Sequence, residues 1–75
     1  MALKEDAELR EIIRKIALLN AIRHNGKAQA GPVIGKVLRE KPKLKTRVKE
    51  LSALVADVVQ EVNDLPLREQ QRIVK

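Results

Sequence analysis

The chain has 75 residues, with no cysteine and no Phe, Tyr or Trp, and carries 16 Lys and Arg against 10 Asp and Glu. That length allows one small domain with a thin core, burying roughly 60% of the unfolded-chain surface. The missing cysteines exclude a disulfide framework and a thiolate metal site, and the missing rings exclude stacking bases on aromatic side chains.

Hydrophobic periodicity predicts an all-α fold, a small single-domain bundle of about four helices, and no strand pattern survives a count. Leu9, Ile12, Ile13, Ile16 and Leu19 recur at three- and four-residue steps and make one apolar face of a first helix. Glu5, Asp6 and Glu8 fall at its start, where negative charge suits the helix dipole. Asn25-Gly26 is a stop, because glycine readily adopts the left-handed conformation past a helix end. A short second helix is expected from Pro32, a residue favoured at the first helical position, with Val33, Ile34, Val37 and Leu38 as its apolar side. Lys41 precedes Pro42 and is pushed out of helical space, so this helix ends there or earlier.

Leu44, Val48, Leu51, Val55, Val58 and Val62 are spaced four, three, four, three, four, a single stripe that predicts a third helix packed against Leu9, Ile13 and Ile16. Asn63-Asp64-Leu65-Pro66 ends it, and a fourth helix from Pro66 or Leu67 runs to Lys75 without a stop signal. The expectation is therefore a piece of a longer chain. No apolar run approaches the roughly 18 residues of a membrane helix. The opening Met1-Ala2-Leu3-Lys4-Glu5-Asp6 turns acidic without an apolar leader. The expectation is a soluble, cytoplasmic, monomeric chain with no membrane partner.

Charge is unevenly distributed. Residues 14–49 hold eleven cations and one anion, Glu40, whereas residues 50–64 hold four anions and no cation. A basic block of this kind points to an anionic partner, nucleic acid being the commonest. A solvated surface that only keeps the chain soluble is the alternative. Without aromatic rings, contact falls on phosphate, sugar or overall shape. Lys27, Lys36, Arg39, Lys41, Lys43, Lys45, Arg47 and Lys49 are the candidate phosphate-binding residues. Lys43, Lys45, Arg47 and Lys49 are expected in and around the first turns of the third helix, with Asp57, Glu61 and Asp64 toward its end. That order opposes the dipole preference and adds the helix N-terminus to the cation field.

No catalytic or metal set is found. A phosphate-gripping Walker loop needs Gly, four residues, Gly-Lys and then Ser or Thr. Gly35-Lys36 is followed by Val37, and position 30 is Ala. His24 is the only histidine, so neither a triad nor a metal site can be completed around it; a helix C-terminus suits it. Glu5/Asp6 and Glu61/Asp64 read as solvated helix ends rather than acid–base pairs.

The stretch Ala17-Leu18-Leu19-Asn20-Ala21-Ile22-Arg23-His24-Asn25-Gly26-Lys27-Ala28, then Val33-Ile34-Gly35-Lys36-Val37-Leu38 and Glu61-Val62-Asn63, resembles the extreme N-terminal region of archaeal-type glutamyl-tRNA synthetases. The resemblance covers nearly the whole chain and implies an appended helical domain, residues 1–75, that helps hold tRNA. It implies a parent enzyme that joins glutamate to tRNA using ATP and magnesium. The catalytic and anticodon-binding domains would lie downstream. The His-x-Gly-His and Lys-Met-Ser-Lys-Ser signatures of the class are absent here, so the 75 residues are expected to be non-catalytic and to hold no cofactor themselves. Pro66 stands where relatives would be expected to carry a Ser or Thr cap.

A second reading is a protein-interaction module docking the synthetase to another translation protein through Leu65, Leu67 and Val74. A free-standing DNA-binding protein is the weaker third, because no helix presents a base-reading set of Arg, Asn or Gln. Gly26 and Gly35 are expected to serve geometry, as a helix stop and as a close-packing point of the second helix.

Overall fold

The computed structural model describes residues 3–74, and all of their side chains except those of Lys4 and Val74. A single 3-10 turn, Leu3–Glu5, leads into α1, Ala7–Arg23. Asp6 takes an extended backbone and its carboxylate accepts the Leu9 N–H at 3.0 Å, satisfying one of the donors that a helix start leaves open. Asp6→Ala is expected to cost about 0.5–2 kcal/mol in thermal or denaturant unfolding. An unchanged melting temperature would show that the cap contributes nothing.

The end of α1 follows the predicted stop, with Asn25 sharing the work. Asn25 (φ 58°) and Gly26 (φ 91°) are both left-handed, and the Gly26 N–H reaches back to the Ala21 carbonyl at 2.7 Å. That six-residue bond closes a Schellman cap over the last carbonyls. The buried face of α1 is Leu9, Ile13, Ile16, Ala17, Leu18 and Ala21. Ile12 is only partly buried, and Leu19, expected on the apolar face, is 48% exposed. The face is rotated because α1 packs on three helices, not one, and Leu18 supplies the side that a single-partner stripe would have assigned to Leu19.

Helix α2 is Ala30–Glu40, so it starts two residues before the predicted Pro32. Pro32 sits in the first turn, where its missing N–H has no helical partner to lose. Val33 and Val37 are fully buried, and Ile34 and Leu38 pack against the core from its edge. The helix ends before Lys41-Pro42, as the restriction on a residue preceding proline requires.

Pro42 does not open the third α-helix. It opens a 3-10 segment, Pro42–Arg47, and α3 begins only at Val48 and runs to Asn63. The predicted stripe therefore loses its first two members: Leu44 is half-buried within the 3-10 segment, and Val48 is 41% exposed. Leu51, Val55, Val58 and Val62 are buried as expected, joined by Leu54 and Val59. The buried surface is wider than one stripe because α3 packs on both α1 and α2.

Helix α4, Leu67–Val74, follows Pro66, whose carbonyl accepts the Gln70 N–H. The last residue of the predicted fourth helix, Lys75, lies outside the described residues. Helices α1, α2 and α3, with Leu3 and Ala28, supply the buried apolar core, and α4 docks against α1 through its buried Gln70. The Cα radius of gyration, 11.7 Å, sits near the about 11 Å expected of a compact chain of this length.

Two side-chain amides fasten the ends of the bundle. The Asn63 carbonyl oxygen accepts the Ala28 N–H at 2.6 Å, and its NH₂ donates to the Ala28 carbonyl at 3.1 Å. The pair ties the α1–α2 loop to the end of α3. The fully buried Gln70 donates through Nε2 to the carbonyls of Gly26, Val62 and Leu65 at 2.9, 2.9 and 3.0 Å. Turning its amide over would set Oε1 against three carbonyl oxygens, so the network fixes the orientation. Oε1 itself is buried and accepts no hydrogen bond among the described residues.

Candidate nucleic-acid interface

All eight predicted phosphate-binding residues are exposed. Lys27 stands in the loop between α1 and α2, Lys36 and Arg39 on α2, and Lys41 at the α2 C-cap. Lys43, Lys45 and Arg47 belong to the 3-10 segment, and Lys49 alone lies in the first turn of α3. The expected clash of charge with the α3 dipole is thus smaller than the sequence suggested. Glu50 lies in that same first turn and accepts from Arg47 at 2.6 Å. At the other end, Glu61 bonds Arg10 of α1, and Asp64 accepts the Gln60 side-chain amide at 3.1 Å. The acids toward the α3 C-terminus are partly engaged in holding the helix rather than merely opposing its dipole. Surface pairs of this kind are worth little, about 0–1 kcal/mol each.

The structure divides the predicted set. Lys45, Arg47 and Lys49 gather with Thr46 and Glu50 around a shallow depression where the 3-10 segment enters α3. Lys36 and Arg39 face a groove of about 330 Å³ between α1 and α2. Lys41 instead shares a small cleft with Asp6 and Glu8, carboxylates that offset its charge locally. Lys27 is not part of either cation cluster.

Arg23 was not among the predicted binding residues, yet it lines the groove opposite Lys36 and Arg39. The signal was present in the spacing. Ile16, Leu19, Asn20 and Arg23 fall at i, i+3, i+4 and i+7 on α1, and Pro32, Gly35, Lys36 and Arg39 repeat those steps on α2. Each set is one face of its helix. The loop that turns the two faces toward each other is held in part by the Asn20 side-chain carbonyl, which accepts the Gln29 N–H at 2.9 Å.

Gly35 does not provide close packing, contrary to expectation: a Cβ built there meets nothing within 4 Å. Nor can Gly35-Lys36 grip a nucleotide phosphate through the backbone. Both lie beyond the first turn of α2, where N–H groups are committed to the helix. Among the described residues no group of three or more His, Cys, Asp or Glu side chains could hold a metal ion. His24 is the α1 C-cap and is exposed.

No family profile matches the chain, and no solved structure matches it. Glutamate–tRNA ligases do. The chain is 55% identical over 64 residues to that of Thermococcus kodakarensis and 48% identical over 64 residues to that of Pyrococcus abyssi. It is 48% identical over 68 residues to that of Ignicoccus hospitalis. The chain matches a small domain of the glutamate–tRNA ligases. The alignments cover 85%, 85% and 91% of this chain but only 11%, 11% and 12% of the relatives. The chain thus spans about a tenth of the length of the ligases it matches. The resemblance read from Ala17–Ala28, Val33–Leu38 and Glu61–Asn63 is borne out at the level of that domain. The structure gives two of those motif residues a physical part in the bundle. Asn63 clamps Ala28, and Gly26 takes the left-handed turn beneath Gln70. Among the described residues, no helix is long and apolar enough to cross a membrane.

Proposed function

We propose that this chain is an appended N-terminal domain of a glutamate–tRNA ligase and that it contributes tRNA binding through its basic surface. The parent enzyme would join glutamate to tRNA in the cytoplasm, using ATP and magnesium held by domains outside these 75 residues. The observation that carries the reading is the block of eleven cations against one anion in residues 14–49, with every predicted phosphate-binding residue exposed. The kinship with glutamate–tRNA ligases supplies the polyanion that such a surface would meet.

The contact is with backbone phosphate. Lysine offers a mobile point charge and arginine a planar fork, and both suit phosphate oxygens. Binding of this kind tolerates sequence, because phosphates carry no base identity. Changing Lys43, Lys45 and Arg47 together to Ala is expected to weaken binding about equally for different tRNAs. It should also lower the log–log salt slope by roughly 2–3, because each phosphate left without its cation removes about 0.7–0.9. The fold should persist, since all three residues are exposed. Unchanged affinity and slope would remove the 3-10 segment from the interface.

A protein-docking role is the second reading, favoured by a groove of about 460 Å³ between α1 and α4 in which Leu18, Leu19 and Ile73 form an apolar strip beside Glu11, Arg14 and Lys15. Of the residues first assigned to docking, Leu67 is exposed, Leu65 packs partly against the core, and the Val74 side chain lies outside the described residues.

A further inference from the structure

The groove between α1 and α2 differs in composition from the rest of the basic surface. Its floor is apolar, formed by Ile16 and Val33, and half-exposed Leu19 forms one lip. Among the described residues Arg23, Lys36 and Arg39 are its only charged lining, and no carboxylate is among them. Open space lies over Gly35, where a side chain would meet nothing within 4 Å. Its volume, about 330 Å³, is at the lower end of small-ligand pockets, roughly 300–1,000 Å³.

A phosphate-only contact needs cations and makes no use of an apolar floor. A ligand with a flat apolar face between anionic groups uses both. We propose that this groove seats one unstacked nucleotide of single-stranded RNA, an inference that rests on the tRNA-binding reading and assigns it a site. The base lies against Leu19 and the floor. Arginine guanidinium planes can stack on bases much as rings do, and Arg23 and Arg39 stand on opposite helices where they can do so. Lys36 meets a flanking phosphate as a point charge. The Asn20 carbonyl oxygen is engaged by Gln29, which leaves its NH₂ free to point a donor at a base edge. The absence of aromatic residues therefore does not forbid base contact; arginine planes and an aliphatic wall take over the role.

The test uses the 75-residue chain with two labelled RNAs, a single strand of about six nucleotides and a hairpin duplex. Gly35→Glu puts an anion into the groove without displacing any neighbour. Ala56→Glu makes the same change in charge at an exposed position of α3 that does not line the groove. The expected result is that the single strand binds at least as tightly as the duplex, although counterion release alone favours the more densely charged duplex. Gly35→Glu should then weaken single-strand binding about tenfold or more, and Ala56→Glu less than about threefold, since only the former blocks the seat. Amide shifts in the unmodified chain should centre on Leu19, Asn20, Val33 and Lys36, a readout that does not depend on either variant folding. If both variants weaken both RNAs equally, or the shifts avoid the groove, the nucleotide seat is wrong while the basic-surface reading stands. If neither RNA binds, the basic-surface reading fails and the seat fails with it.

Discussion

Leu51→Ala is expected to remove about 2–5 kcal/mol of stability. Leu51 is fully buried in α3 within the apolar core that α1, α2 and α3 share. Truncation takes away its transfer free energy and leaves a cavity that the close-packed helices fill only partly. A domain of this length has about 4–11 kcal/mol in total, at 0.05–0.15 kcal/mol per residue. The variant should therefore melt far below the parent or be unfolded at room temperature. Melting within a degree or two of the parent would mean that the α3 stripe is not the core.

The second large effect concerns Gln70. Most of the apolar hold on α4 is weak, since Leu67 and Ile73 are 41% and 45% exposed. Its fully buried anchor is an amide whose two N–H groups are shared among three carbonyls: Gly26 in the α1–α2 loop, Val62 in the last turn of α3 and Leu65 just past it. Gln70→Leu keeps similar bulk and takes this donor from the Gly26 and Leu65 carbonyls, while the Val62 carbonyl still accepts the Leu65 N–H. Stranding buried polar groups costs about 1–3 kcal/mol each, reduced wherever water can enter. Some of the loss is recovered because the unpartnered Oε1 disappears with the amide. The net expectation is a loss of about 1–3 kcal/mol, concentrated in α4. Hydrogen exchange should show α4 amides opening while the protection of α1 and α3 is kept. Unchanged α4 protection would mean that apolar contacts alone hold the helix.

How much of this was legible depends on how local each cause is. The Asn25-Gly26 stop, the break at Lys41-Pro42 and the Leu51–Val62 stripe are set by backbone preference or helical period, and they stand in the structure as read. The 3-10 segment was missed because Leu44 and Val48 kept the period of the next helix while Pro42 imposed a tighter turn. Leu19 was placed on the apolar face of α1 because a stripe implies one partner, whereas α1 packs on three. Asn63 read only as part of a helix stop, and Gln70 carried no signal of its own. Their roles arise only where distant carbonyls and N–H groups converge, 44 residues away for Gly26 and 35 for Ala28. The basic block was plain from composition, but its division was not. Arg23 joins Lys36 and Arg39 only because the loop folds α2 back along α1, and Lys41 meets Asp6 and Glu8 only in the folded chain.

Titrating the chain with tRNA at two salt concentrations, followed by amide shifts, tests tRNA-backbone binding most directly. Affinity is expected on the order of 10⁻⁴–10⁻⁶ M near physiological salt, and to fall by about 10³ between roughly 50 and 200 mM salt if six phosphates are contacted. The shifted amides should lie along Arg23, Lys36, Arg39 and the Lys43–Lys49 stretch. Affinity that persists undiminished at high salt, or shifts that cluster on Asp57, Glu61 and Asp64, would contradict phosphate binding and leave protein docking in its place.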